Sequence, residues 1–140
     1  ELDDITEAIT NIQYGVAPSD GENYRVFQTI IPENQKLPFS AKHSFYLKKD
    51  GQNRIEIPYF ERDIKNYPNA VRTDDDGITE IDTIVISNLP DNLKKSDVTI
   101  DVEFTIKRDG TLGIQVDVLD LQGNSIGNAA VECEKVSNLE

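Results

Sequence analysis

Tryptophan and methionine are absent from this 140-residue chain, and cysteine and histidine occur once each, at Cys133 and His43. A lone cysteine cannot close an internal disulfide, and no Asn-x-Ser/Thr acceptor occurs, so nothing in the chain calls for an oxidising compartment. The expected setting is cytoplasmic, with an inert thiol. No apolar run approaches the roughly 18 residues of a membrane span, and no charged-then-apolar signal segment opens the chain. Basic residues are scarce: 14 Lys and Arg against 26 Asp and Glu give a net charge of −12, which opposes a nucleic-acid backbone or an anionic membrane. Without tryptophan the stacking platform of a carbohydrate-binding sandwich is weak, although five tyrosines remain. A nucleotide-cradling Gly-x-x-x-x-Gly-Lys-Ser/Thr run is missing too, and no cofactor is expected on this chain. The chain starts at Glu1 without methionine and closes on Leu139-Glu140, which reads as a cloning scar, so an excised piece of a longer protein is expected.

What is present is strand periodicity. Val98, Ile100, Val102, Phe104 and Ile106 alternate with polar residues, Asp109-Gly110 supplies a tight turn, and Leu112, Ile114, Val116 and Val118 resume the alternation. His43, Phe45 and Leu47 alternate likewise, and Lys49-Asp50-Gly51-Gln52 leads into Ile55, Ile57 and Tyr59, which reads as a second hairpin. Pro58 cannot donate a ladder hydrogen bond, so its strand is expected at a sheet edge or to end regular pairing there. Shorter runs at 12–17, 25–31, 83–87 and 125–133 bring the total to about eight strands, with turns at Ser19-Asp20-Gly21, Pro90-Asp91-Asn92 and Gln122-Gly123-Asn124. The expected fold is all-β, an antiparallel β-sandwich over residues 12–136, with a linker at 1–11, a tail at 137–140 and a long surface loop from Asp63 to Asp82.

Catalysis finds little material. His43 sits inside a strand pattern, Cys133 lies far along the chain, and no third group orients them, so no catalytic residue is assigned. Asp74-Asp75-Asp76-Gly77 with Glu80 invites comparison with a calcium loop. With Gly77 at the sixth position, however, Arg72 falls on the first ligand position and Thr83 on the glutamate position, and the segment reads as a solvated acidic loop with no metal. Phe45, Ile55, Ile57 and Ile100 stand out differently. Each suits a core, yet core positions that open into a groove can seat an apolar side chain of an extended peptide.

The order of short motifs resembles the peptide-binding β-domain of the 70-kDa heat-shock (DnaK-type) chaperones. Tyr14-Gly15-Val16 is similar to the family's first strand, Leu37-Pro38 to the Ile-Pro before its third, and His43-Ser44-Phe45 to the strand that follows. The stretch from Asp50 to Ile57 resembles its Asn-Gln-x-x-Val-x-Ile segment, and Ile100 to Ile106 with Asp109-Gly110-Thr111-Leu112 resembles its central hairpin. The resemblance spans most of residues 12–132. It implies a lidless substrate-binding domain of a divergent molecular chaperone that reversibly binds extended hydrophobic segments of unfolded polypeptides. Ile55 would floor a central pocket lined by Val16, Phe45, Ile57 and Ile100, with Tyr46, Gln52 and the backbone of the loop after Val16 contacting the peptide backbone. Valine is usual at the Ile55 position, which implies a shallower pocket here.

Departures accompany it. Lys48 stands where the family has one half of an apolar arch over the peptide, the other half falls in a lengthened 18–24 loop, and the 63–82 loop is about ten residues longer than the family pattern, an insertion that surface loops tolerate. ATP and co-chaperones would belong to a parent nucleotide-binding domain in a stress-response chaperone. Acidic surface charge leads to the expectation that peptides flanked by Lys or Arg bind best, and an open groove edge to possible self-association. The alternative is a dedicated protein–protein or interdomain docking module on the same fold, without general chaperone activity.

Overall fold

The computed structural model describes residues 12–17 and 26–133. Eight strands run in chain order: β1 (Gln13–Val16), β2 (Gln28–Ile31), β3 (Phe39–Tyr46), β4 (Ile55–Arg62), β5 (Ile78–Ile86), β6 (Thr99–Ile106), β7 (Leu112–Leu119) and β8 (Ser125–Cys133). They form two four-stranded antiparallel sheets, ordered β2-β1-β4-β5 and β3-β6-β7-β8. Among the described residues the only helical element is a 3₁₀ turn at Lys95–Asp97, and no helix is long and apolar enough to cross a membrane. The expected eight-stranded β-sandwich is what the chain forms.

Alternation places the core. Ile100, Val102, Phe104 and Ile106 of β6 and Leu112, Ile114, Val116 and Val118 of β7 are all buried. They pack on Tyr14, Ile31, Ile55, Tyr59, Ile84 and Ile86 of the other sheet, with Tyr59 meeting Phe104 edge-on. The β6–β7 and β7–β8 hairpins share one turn design: Lys107 N–H donates to Thr111 O and Asp120 N–H to Asn124 O, so each loop has three residues and ends on a glycine at positive φ, Gly110 and Gly123.

The 43–59 segment is not a hairpin. β3 pairs with β6 and β4 with β1 and β5, so the connection at residues 47–54 carries the chain from one sheet to the other. Two alternating runs joined by an Asp-Gly turn look the same from sequence whether they pair or cross over. The turn is instead fastened to residues 91–97: Gly51 N–H donates to Leu93 O, Asn53 Nδ2 to Asp91 Oδ1, and Lys95 N–H to Asp50 Oδ1. Nor is β4 an edge strand as a whole, since β1 and β5 flank it.

Strand β5 begins at Ile78, five residues before the expected Thr83. A bulge shifts the β4–β5 register from Tyr59–Asp82 to Phe60–Glu80, which breaks the period-two pattern at Ile81 and hides the first half of the strand. The loop before it is correspondingly short, 63–77, and folds back on the outer face of the first sheet. There Ala17, Phe27, Phe60, Ala70 and Ile78 form a second small apolar cluster. Strand β2 starts at Gln28, and Val26 makes a single bridge to Arg72. The linker at 1–11, the Ser19-Asp20-Gly21 turn with its 18–24 loop, and residues 134–140 lie outside the described residues.

Candidate functional site: a groove along the open half of β4

The β1–β4 ladder begins at Gln13–Arg62 and ends at Val16–Tyr59. Among the described residues, β4 from Ile55 to Pro58 is therefore paired only with β5. Among the described residues β3 is an edge strand, paired with β6 alone. A cavity of about 280 Å³ opens between these two edges, near the lower end of the roughly 300–1,000 Å³ of small-ligand pockets.

All eight residues singled out from the sequence line this one cavity. Ile55 and Ile57 come from β4, Phe45 and Tyr46 from the end of β3, Ile100 from the start of β6 and Val16 from the end of β1. Lys48 and Gln52 come from the sheet-crossing connection. Val16, Ile55 and Ile100 are buried at 3%, 4% and 5% exposure, Phe45 and Ile57 are partly buried, and Tyr46 stands 69% exposed at the rim. Phe45 pairs across the sheet with Ile100, and His43 stacks on Phe45 at 6.4 Å between ring centroids. His43 itself is held by Gln28, whose Nε2 lies 3.2 Å from Nδ1, a position that suits a structural role.

Sequence reasoning missed three lining residues, Arg54, Glu56 and Pro58; a fourth, Ala17, directly follows Val16, where the resemblance placed a backbone contact. Arg54 to Pro58 thus line the groove without a gap, although successive side chains of a strand point to opposite faces. A continuous run can border one cavity only along the strand's edge, where backbone as well as side chains face the opening. Pro58 was the available signal: it sits where the β1 ladder has stopped, with Thr83 as its partner on the other side.

Gln52 is tied into the connection through both atoms of its amide. Its Oε1 accepts from Lys48 N–H at 3.1 Å and its Nε2 donates to Arg54 O at 2.8 Å, so the amide braces the connection and fixes the rim. Arg54 Nε donates to Glu56 Oε2 at 2.8 Å, and both side chains are 55% exposed.

The chain matches no family model and no curated protein.

Away from the groove, Asp75 serves the backbone. Its Oδ2 accepts from the N–H groups of Val71 and Arg72, which hold its pKa below the ordinary carboxylate value, Arg72 contributing most. Among the described residues no three His, Cys, Asp or Glu side chains are grouped to hold a metal. Cys133 lies at the other end of the sandwich, with its Sγ 3.8 Å from the Tyr59 hydroxyl. Burial, then that thiol, raise the tyrosine's pKa.

Proposed function

We propose that this domain captures extended polypeptide segments in the groove along β4, as the substrate-binding β-domain of a divergent DnaK-type chaperone. The observation that carries the reading is the uninterrupted lining from Arg54 to Pro58 along a backbone edge that has no strand partner among the described residues. Such an edge hydrogen-bonds any extended chain regardless of sequence, and one apolar cavity beneath it selects a single side chain. Ile55, Ile57, Phe45, Ile100 and Val16 give that cavity its apolar wall. Binding is reversible and needs no cofactor on this chain; ATP and co-chaperones would act through a parent nucleotide-binding domain. Self-association would use the same edge.

A docking module dedicated to one partner is the second reading, and the charged rim of Lys48, Arg54 and Glu56 in place of an apolar arch favours it. A panel of unrelated unfolded proteins separates the two, since a dedicated module ignores them.

The test is fluorescence anisotropy of a labelled Leu-centred peptide with serine flanks, titrated with the domain and with Ile57→Phe. Ile57 is only partly buried, so a ring there can extend into the cavity. Saturable binding that disappears in the folded variant supports capture at this groove. Absence of binding by the folded wild-type domain rejects general peptide capture.

A further inference from the structure

The rim of the groove departs from the charge of the molecule. Among its lining residues Lys48 and Arg54 stand against Glu56, two cations to one anion, whereas the chain as a whole carries −12. The one anion that lines the groove, Glu56, is engaged by Arg54 Nε.

Arg54 has the geometry of a carboxylate receptor. Glu56 holds its Nε, which sets the plane of the guanidinium, while Nη1 and Nη2 have no partner among the described residues. Two parallel N–H donors on a fixed plane match a carboxylate bidentately. Strand alternation then places the ligand group. Ile55 and Ile57 face the core side of β4, and Arg54 and Glu56 face its outer side. In a chain lying along this edge, a residue that drops into the cavity beside Ile55 or Ile57 has neighbours whose side chains emerge on the side of Arg54.

We infer that the groove is specific for extended segments in which an Asp or Glu immediately adjoins the buried apolar residue, with that carboxylate received by the terminal nitrogens of Arg54 beside Lys48. This rests on the peptide-capture reading above and reverses the preference that net charge alone implies. The long-range field of the acidic domain is screened beyond about 8 Å at physiological ionic strength, so contacts at the rim decide.

Three labelled peptides that differ only in the two residues flanking a central leucine, as Glu, Ser or Lys, are titrated at 150 mM and 500 mM salt with the wild-type domain and with Arg54→Gln. Because Arg54 is exposed, the expected advantage of the Glu peptide over the Ser peptide at 150 mM is roughly two- to fivefold. The Lys peptide should be weakest, and the Glu advantage should fall to about onefold in Arg54→Gln and shrink at 500 mM. Lys-flanked binding equal to or tighter than Glu-flanked binding at 150 mM overturns the inference, as does an unchanged Glu-to-Ser ratio in Arg54→Gln. Binding of the Ser peptide without any Glu advantage removes the acidic preference and leaves peptide capture standing. Failure of all three peptides removes both.

Discussion

Val16 and Tyr59 are the last pair of the β1–β4 ladder, and Pro58, the next residue toward the start of β4, lies on the wall of the groove. A proline in a central strand ordinarily costs a ladder hydrogen bond. Here it falls where the strand has no second partner among the described residues, so sheet and groove share one boundary. Beyond it the alternating side chains of β4 reach both the sandwich core and the outer face. The apolar anchor site and the charged rim are consequently one residue apart on the same strand.

The two isoleucines of β4 should respond differently to enlargement. Ile55 is 4% exposed and pairs with Ile86, so Ile55→Phe must displace core neighbours and should cost about 1–3 kcal/mol. Ile57→Phe can direct its ring into the cavity and should cost less while abolishing peptide binding. Urea denaturation of both variants, read beside anisotropy, checks the order; equal destabilisation would contradict the placement of Ile57.

Gly15 is required by close approach. A Cβ added there would lie 2.0 Å from the carbonyl oxygen of Gln28 and 2.9 Å from its carbon, both backbone atoms that cannot move without opening the β1–β2 pair. Gly15→Ala should therefore cost on the order of 3 kcal/mol, visible as a lower urea midpoint. A loss below about 0.5 kcal/mol, the usual scale of a surface substitution, would mean that β2 sits farther from β1.

Strand content was readable where alternation is unbroken, as in β6 and β7, because one buried face imposes period two on the residues themselves. Pairing was not, since residues 43–59 carry two good strand patterns and nothing local says that the chain changes sheets between them. The bulge opposite Tyr59 and Phe60 concealed the start of β5 for a related reason: an extra residue reverses the phase. The apolar and rim positions taken from the family resemblance do converge on one cavity. Arg54 and Glu56 escaped notice because an edge groove recruits both faces of a strand, which an argument from one buried face does not anticipate.

Arg62 fastens the folded-back loop to the first sheet. Its Nε donates to Gln13 Oε1 at 2.8 Å, Nη2 donates to the same oxygen, and Nη1 donates to Ala70 O at 2.7 Å, while the guanidinium lies 4.9 Å from the Phe27 ring centroid. Gln13, 8% exposed, also accepts from Thr29 and donates to Glu33. Arg62→Met keeps much of the apolar stem but deprives Gln13 and the Ala70 carbonyl of charged donors, and should cost about 2 kcal/mol. Peptide affinity should hold if the groove is independent of this loop; equal stability of variant and wild type would show that water replaces the network.

Acid should release the same loop through Asp75. Its pKa is lowered in the folded protein by the Arg72 and Val71 N–H groups, so its contribution is fully present above the unfolded carboxylate pKa and is lost as pH falls through the lower folded value. Glu33 is lowered in the same direction, chiefly by the hydrogen bond from Gln13. The wild-type domain should thus lose stability on acidification below about pH 4, where carboxylates ordinarily titrate. Asp75→Asn retains one acceptor oxygen but cannot titrate, and its deficit relative to wild type should be largest at neutral pH and narrow as the medium becomes more acidic. Thermal midpoints of both proteins from pH 7 down to pH 3 measure this, and a difference that stays constant across that range would remove Asp75 from the acid response.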